Sequence, residues 1–280
     1  MTAIETISEN RCFGGVQGIY RHQSDEIGLP MRFALYRPPQ AENGPVPVLY
    51  YLSGLTCTEE NFTIKAGAQR LAAEHGFVVV APDTSPRETG IPGEDDDWAF
   101  GTGAGFYLDA TAEPWSRHYR MESYIVKELP GVVEGNFPAD GARRSVFGHS
   151  MGGHGALSLA LKNPGMFQSV SAFAPMVSLM NCEPGINALK GYLGDDQESW
   201  RRYDVCDLIA SGHTCPPILA DQGTVDEFLP NLLPDRLEAV CAEKGQALTL
   251  NMRDGYDHSY WFVQSFMADH FAHHAAALNP

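Results

Sequence analysis

Short, almost continuous hydrophobic runs recur along the chain, and longer stretches with the spacing of amphipathic helices separate them. The runs are rich in β-branched and aromatic residues, and they predict seven strands: Arg32–Tyr36, Val46–Leu52, Phe77–Ala81, Ser145–Gly148, Val170–Ala174, Ile218–Ala220 and Leu248–Met252. Because few polar positions interrupt the runs, they are typical of strands that helices cover on both faces, as in a mostly parallel sheet.

Five stretches between and after these strands have helical spacing: Ala66–His75, Tyr119–Leu129, Met151–Lys162, Leu232–Lys244 and Ser259–His274. Residues 56–59 resemble a capping box before the first helix, and we expect Pro130 to end the second. Strands that alternate with helices of about ten or more residues predict an α/β fold.

Two further features concern the organisation of the chain. Residues 82–114 lack clear periodicity and are rich in Gly, Pro and Asp, and a loop of that length in a compact domain is usually functional. No internal repeat, low-complexity tract or linker divides the sequence. We therefore expect residues 1–280 to form a single domain.

Composition narrows the classes of protein that fit. The 280 residues include 19 Lys and Arg against 35 Asp and Glu, so the net charge of −16 disfavours nucleic acids and anionic membranes as partners. The first residues carry acids without the apolar core of a signal peptide, and no run approaches the roughly 20 apolar residues of a membrane helix. We therefore expect a soluble, cytoplasmic protein.

Neither the cysteines nor the acidic residues have the spacing of a disulfide framework or a metal site. The six cysteines are scattered without a CxxC pair, which favours free thiols in a reducing compartment. The acidic stretch 94–97 lacks the spaced ligands of a calcium loop. We expect this stretch to be a solvated loop, and the protein to bind no metal.

A candidate nucleophile lies in the sequence Gly148-His149-Ser150-Met151-Gly152, which matches G-x-S-x-G. The match directly follows a predicted strand and opens a predicted helix, the setting that a nucleophile elbow requires. The pattern therefore predicts Ser150 as the nucleophile. The alternative is an ordinary serine in a glycine-rich turn. Neighbouring side chains on a tight turn diverge, so we expect His149 to be structural.

The general base is expected downstream, because in α/β-hydrolases the catalytic groups follow the order Ser, Asp or Glu, His. His258 lies in a loop-like stretch between the last predicted strand and the last helix, where this fold presents its histidine. His213 precedes a strand, at the wrong end of the sheet. His270, His273 and His274 lie late in a helix, and we expect a solvated surface there.

The orienting acid is expected after the penultimate strand, where Asp221 and Asp226 are available. Asp226 lies farther into the loop, from which a carboxylate can reach back to the histidine, and it is the preferred candidate. Asp221 stands at the strand end and is expected to form a turn. Asp254 and Asp257 are weaker rivals, because acids in such turns usually make local hydrogen bonds.

An oxyanion hole needs two N–H donors, one of them from the residue after the nucleophile, here Met151. The second is expected from a loop after an early strand, where Gly54 permits a bend and Leu55 offers its N–H. The alternative is a plain strand-to-helix turn. Cys57 follows closely, and it is either a buried small hydrophobe or a thiol that lines the pocket, whose modification would block substrate.

Several longer segments share one family pattern: Leu52–Phe62 (LSGLTCTEENF), Ala81–Pro86 (APDTSP), Phe100–Thr111 (FGTGAGFYLDAT), Phe147–Leu157 (FGHSMGGHGAL), Ser171–Pro175 (SAFAP), Asp221–Gly223 (DQG) with Asp226, and Gly255–Tyr260 (GYDHSY). Over nearly its whole length the chain resembles the S-formylglutathione hydrolase (esterase D) family. The chain departs from the pattern at Val225, where family members often have a polar or acidic residue, and in Arg87–Gly93.

The resemblance implies a cytosolic, often dimeric enzyme with an α/β-hydrolase fold. Its substrate would be S-formylglutathione, hydrolysed to glutathione and formate in formaldehyde detoxification, without a cofactor. Carried over by position, the family triad falls on Ser150, Asp226 and His258, in agreement with the residue-based prediction. Two alternatives stay open: a broad carboxylesterase for short acyl esters, and a non-catalytic interaction protein with a hydrolase fold.

Overall fold

A nine-stranded sheet forms the centre of the computed structural model, which describes residues 3–279. The strands are β1 Ile4–Cys12, β2 Gly15–Gln23, β3 Pro30–Arg37, β4 Val46–Leu52, β5 Val78–Pro82, β6 Ala139–His149, β7 Val170–Phe173, β8 Ile218–Gly223 and β9 Leu248–Arg253. Their spatial order is β1-β2-β3-β5-β4-β6-β7-β8-β9. Strands β4 to β9 run parallel, whereas β1, β2 and β3 pair antiparallel and join the rest through β5. The predicted α/β fold with a mostly parallel sheet is confirmed.

Helices cover both faces of this sheet. They are α1 Glu59–Lys65, α2 Ala68–His75, α3 Met121–Ser123, α4 Leu129–Asn136, α5 Met151–Lys162, α6 Glu183–Leu193, α7 Gln197–Trp200, α8 Val205–Ala210, α9 Leu229–Leu232, α10 Pro234–Lys244 and α11 Tyr260–Leu278. Helix α5 packs against β6, β7 and α8, while α11 packs against β6, β7 and α2. The two-sided cover explains why the central strands are apolar throughout.

All seven predicted strands are present, and β1 and β2 are additional. Most side chains of β1 are exposed or half-buried, because this strand lies at the edge of the sheet. Phe13 and Gly14 join β1 to β2 with positive φ angles of 47° and 77°, the backbone of a tight hairpin. The polar edge strand β1 lacks the hydrophobic run that predicts the central strands.

The predicted helix Ala66–His75 is wrong in its start. Helix α2 begins two residues later, at Ala68, because Gly67 adopts the left-handed region with φ 64°, and α1 precedes it as an additional helix. The capping box is formed by Thr58 and Asn61, and it caps α1 instead of the predicted helix. The expected box at residues 56–59 is therefore wrong in position, and the observed one opens a helix that the hydrophobic spacing did not predict.

The expected end of a helix at Pro130 is also wrong. Residues 124–128 form one wide π-helical turn, in which the Leu129 N–H donates to the Tyr124 carbonyl, five residues back. Pro130 then occupies the first turn of α4, a position that needs no N–H donor. The wide turn lets the chain continue helically past the proline ring.

Two other helices begin or end away from their predicted bounds. The prediction Leu232–Lys244 starts two residues early. Leu232 ends the short helix α9, and α10 begins at Pro234 because Leu233 adopts the left-handed region with φ 58°. The C-terminal helix begins at Tyr260, one residue after the predicted start, and Ser259 is its N-cap and accepts the Trp261 N–H. This helix extends to Leu278 and so covers more of the sheet than predicted.

The prediction of a solvated histidine surface near the C-terminus is wrong for His270 and His274, which are fully buried. His274 hydrogen-bonds through its two ring nitrogens to the hydroxyls of Ser169 and Ser171, at 2.7 and 2.9 Å. Helix α11 lies across the sheet, so this side of it faces inward. Burial lowers the pKa of both imidazoles, and they form part of the polar core.

Pro82 ends β5, and residues 83–114 form a long loop without a helix or a named strand, as predicted. Its acidic stretch is only partly solvated, because Glu94 is buried and accepts hydrogen bonds from the Thr89 and Gly90 N–H groups. Asp95, Asp96 and Asp97 are exposed. The expectation of a solvated loop is therefore wrong for Glu94, whose carboxylate holds the loop together.

Candidate active site

Ser150 lies at the junction between β6 and α5, with φ 58° and ψ −121°. A non-glycine residue in such a conformation costs about 1–3 kcal/mol and persists only where the surroundings enforce it. A Cβ at Gly148 would collide with the Gly152 carbonyl, and one at Gly152 would collide with the Leu52 carbonyl. Both glycines are therefore required, and the turn has the geometry of a nucleophile elbow.

His258 and Asp226 are held together by a hydrogen bond of 2.7 Å between the histidine Nδ1 and the aspartate Oδ2. The Asp226 side chain is fully buried, and only 12% of the His258 side chain is exposed. Asp226 follows β8 and His258 follows β9, neighbours at the same edge of the parallel sheet as the end of β6. Since Nδ1 is occupied by the carboxylate, Nε2 is the ring nitrogen available to Ser150.

The Asp226 carboxylate accepts two further hydrogen bonds. The Gln222 Nε2 donates to Oδ2 at 2.9 Å, and the Phe228 backbone N–H donates to Oδ1 at 2.8 Å. Sequence reasoning did not assign a role to Gln222, although it belongs to the Asp221–Gly223 segment of the family pattern. Both contacts fix the plane of the carboxylate opposite the imidazole.

The predicted oxyanion residues lie on either side of Ser150. Met151 begins α5, so its peptide belongs to the positive end of a twelve-residue helix. Gly54 approaches Ser150 so closely that a Cβ at Gly54 would lie 3.1 Å from the serine Cβ, and the adjacent Leu55 lines the same cavity. This close approach suits a donor loop, and the role of Leu55 and Met151 stays a prediction.

A cavity of about 200 Å³ opens beside these residues, and Ser150 and His258 both line it. Its other walls are mainly apolar and aromatic, and they include Trp98, Met176, Phe228, Leu232 and Tyr260. Trp98 comes from the long loop 82–114, which thereby forms part of the wall. The cavity suits a small acyl group next to the serine hydroxyl.

Cys57 lines the cavity as well, and it is half-buried. Burial raises the pKa of its thiol, and the Lys65 ammonium opposes this in part. The position agrees with the pocket-thiol alternative. All six cysteines are unpaired.

His149 lies closer to the candidate base than sequence reasoning expected. Its ring centroid is 4.5 Å from that of His258, and it lines the cavity. Burial lowers the pKa of His149 well below its ordinary value, so the ring stays neutral beside His258. His154, on the first turn of α5, is fully buried, and burial lowers its pKa to about 3.

The competing acids have other partners. Asp221 is fully buried instead of forming a turn, and it accepts hydrogen bonds from Asn251 at 2.8 Å and Arg253 at 2.9 Å. Asp257 is exposed and accepts from the Ser259 N–H, which is a local role. The buried ion pair of Asp221 with Arg253 ties β8 to β9, the two strands that carry Asp226 and His258.

Neither a membrane-spanning helix nor a cluster of metal ligands is present in residues 3–279. No helix in this range is long and apolar enough to cross a membrane. The same range contains no group of three or more His, Cys, Asp or Glu side chains arranged to hold a metal ion.

Comparisons with known proteins agree with this fold. Residues 24–273 match the Esterase family, described as "Putative esterase". The chain is 56% identical over 280 residues to the S-formylglutathione hydrolase of Mus musculus, and 52% identical over 276 residues to that of Paracoccus denitrificans. Both alignments cover 99% of each chain.

One solved structure resembles this chain in both fold and sequence. The S-formylglutathione hydrolase of Agrobacterium tumefaciens superposes with a TM-score of 0.96 at 51% identity, over 98% of this chain and 99% of that one. Fold and comparisons together define an esterase with an α/β-hydrolase fold. Within that class, the chain belongs to the S-formylglutathione hydrolase family.

Proposed function

We propose that the protein hydrolyses S-formylglutathione to glutathione and formate, as part of formaldehyde detoxification, through a Ser150–His258–Asp226 triad. The observation that carries this proposal is the buried hydrogen bond between Asp226 and His258 beside the cavity that Ser150 lines. The names of the relatives support the choice of substrate.

The first half of the reaction transfers the formyl group to the enzyme. His258 takes the Ser150 proton at Nε2 while Oγ attacks the thioester carbonyl carbon, and Asp226 stabilises the imidazolium that results. The N–H groups of Leu55 and Met151 bind the oxyanion, and each such donor stabilises the transition state by about 3 kcal/mol. The C–S bond then breaks, and the imidazolium proton goes to the departing thiolate.

The second half releases formate. His258 removes a proton from a water molecule, whose oxygen attacks the carbonyl carbon of formyl-Ser150. The second tetrahedral intermediate breaks its bond to Oγ, and the imidazolium returns the proton to the serine. The product leaves as formic acid, which loses its remaining acidic proton to water and becomes formate. Atoms and protons balance over the two halves, so this mechanism requires neither a metal ion nor an organic cofactor.

The choice of substrate leads to the first prediction. We expect kcat/KM for S-formylglutathione to exceed that for p-nitrophenyl acetate and butyrate by at least about tenfold, a difference of about 1.4 kcal/mol in the barrier. The formyl carbonyl is unhindered, and the glutathione part adds binding contacts outside the cavity. Steady-state kinetics on purified protein measure both values, with a Ser150→Ala sample to subtract background hydrolysis.

A broad short-chain carboxylesterase is the second candidate, and the cavity size favours it. About 200 Å³ is far more than a formyl group needs, so acetyl and butyryl groups also fit. A higher kcat/KM for the p-nitrophenyl esters than for the thioester would contradict the glutathione assignment and support this candidate.

Cys57 leads to the second prediction. We propose that its thiol lines the substrate path, so that methyl methanethiosulfonate lowers kcat/KM for S-formylglutathione by about tenfold or more through steric exclusion. Because burial raises the pKa of the thiol, inactivation accelerates with rising pH. A Cys57→Ser variant retains all other cysteines and serves as the control. Equal inactivation of this variant would assign the effect to another cysteine.

We also propose a cytoplasmic homodimer, on the strength of the family resemblance and of six unpaired cysteines, which suit a reducing compartment. Light scattering on the purified protein tests the assembly against the chain mass of 30.6 kDa.

A further inference from the structure

Gln222 is a fully buried amide next to the candidate triad. Its Nε2 donates to the Asp226 Oδ2 at 2.9 Å and to the Gly223 carbonyl at 3.1 Å. The opposite orientation of the amide would place its oxygen against these two acceptors, so the contacts themselves determine which atom is nitrogen.

The Gln222 Oε1 has no hydrogen-bond partner in residues 3–279, although it is buried. A buried acceptor without a partner costs about 1–3 kcal/mol. An apolar residue of similar size would avoid this cost, so stability alone does not account for an amide here. Only the donors of the side chain have partners, and one of them is the Asp226 carboxylate.

We propose that Gln222 is a positioning residue, which orients the Asp226 carboxylate and limits how tightly this carboxylate holds the His258 imidazolium. The inference rests on the triad of the proposed function and adds a fourth member that acts through Asp226. Gln222 has no contact with the cavity, so it is not itself a catalytic residue.

The effect of Gln222 on the Asp226–His258 pair follows because two donors share one oxygen of the Asp226 carboxylate. The Gln222 Nε2 and the His258 Nδ1 both donate to Oδ2, while the Phe228 N–H holds Oδ1. With the amide in place, the carboxylate cannot rotate away from the imidazole, and part of its negative charge is engaged by a neutral donor. Without the amide, Oδ2 interacts with the imidazolium alone and binds it more strongly.

Substitution of Gln222 leaves the other titratable groups around the Asp226–His258 pair in place. They are Asp257 from the loop after β9, His149 from the end of β6, and Cys57 and Tyr260 across the cavity. Any shift of the pH profile after substitution of Gln222 therefore reports on the Asp226–His258 pair.

The test is the pH profile of kcat/KM for S-formylglutathione in a Gln222→Met variant. We expect a loss of about tenfold at neutral pH, and an acidic limb displaced by about half a unit to higher pH. The displacement has this sign because a more tightly held imidazolium releases its proton only at higher pH. A merely structural role would lower the profile without moving the limb.

A Gln222→Glu variant provides the conservative comparison. While its new carboxyl group is protonated it donates to Asp226 in place of the amide, and we expect activity within about threefold of the original at low pH. When the group ionises, two carboxylates face each other without a shared proton, so an additional alkaline loss of activity appears.

Gln246→Met is the matched control, because Gln246 is also buried but lies just before β9, at the opposite end of the sheet. Its Nε2 donates to the carbonyl of Cys215 at 3.2 Å, and the Cys215 N–H donates to its Oε1 at 3.1 Å. We expect this variant to lose thermal stability while the acidic limb stays in place.

Four outcomes separate the hypotheses. An unmoved acidic limb in Gln222→Met overturns the positioning role, whether or not the rate falls. If that variant does not fold, Gln222→Glu decides, and a profile identical to that of the original enzyme overturns the proposal. Activity that survives Ser150→Ala contradicts the proposed function itself, whereas an inactive Ser150→Ala with an unmoved limb contradicts only the role of Gln222.

Discussion

Replacing Ser150 with alanine is expected to lower kcat for S-formylglutathione by about 10⁶-fold, because no other group can form the formyl-enzyme intermediate. The residual rate would be that of a cavity with an oxyanion hole but no nucleophile, about 10³–10⁴ above the reaction in water. Stopped assays at high enzyme concentration measure it. This outcome separates a serine hydrolase from a non-catalytic protein with the same fold.

The Ser150→Ala variant also has a structural control. Alanine has the same Cβ as serine, so the backbone strain at φ 58° is unchanged, and we expect the thermal midpoint to stay within a few degrees. Substrate binding, measured by calorimetry on this inactive variant, is expected to persist. Turnover within tenfold of the original enzyme would assign the nucleophile elsewhere.

Replacing Asp226 with asparagine is expected to lower kcat by about 10⁴-fold while the fold is retained. The amide carries no charge to stabilise the imidazolium, and an NH₂ group facing Nδ1 favours the tautomer that cannot accept the Ser150 proton at Nε2. Steady-state kinetics across the pH range measure the loss.

Asp257→Asn is the matched control for this substitution. Asp257 precedes the same histidine, but it is exposed and accepts only from the N–H and hydroxyl groups of Ser259. We expect its kcat to stay within about threefold of the original value, as for most surface substitutions. Equal losses in both variants would contradict the assignment of Asp226.

Most of the sheet could be predicted because its central strands are buried on both faces and therefore read as hydrophobic runs. The strand β1 could not, since an exposed edge strand has no such run, and neither could β2, in which glycines and polar residues interrupt the apolar ones. The prediction that a helix ends before Pro130 was wrong because it assumed α-helical hydrogen bonds between residues four apart. In the π-helical turn before Pro130 the hydrogen bond joins residues five apart. Burial of His270 depends on which side of α11 packs against the sheet, and the sequence of the helix alone does not specify this.

The triad candidates could be placed because parallel strands end at one edge, so chain order limits where each group can lie. The walls of the cavity could not be placed in this way. Trp98 lines the cavity from a loop without periodicity. Gln222 lies outside the cavity and hydrogen-bonds to Asp226, four residues later in the chain. Such contacts depend on side-chain packing in three dimensions, for which no local pattern exists.

The order of the strands also determines when activity can arise during folding. Ser150, Asp226 and His258 follow β6, β8 and β9, and 76 and then 32 residues separate them along the chain. Pairings between such distant segments form slowly, whereas the β1–β2 hairpin is local. In a growing polypeptide the serine thus stays inert until the segment that carries His258 has been synthesised, and the onset of turnover shows that β8 and β9 have joined the sheet.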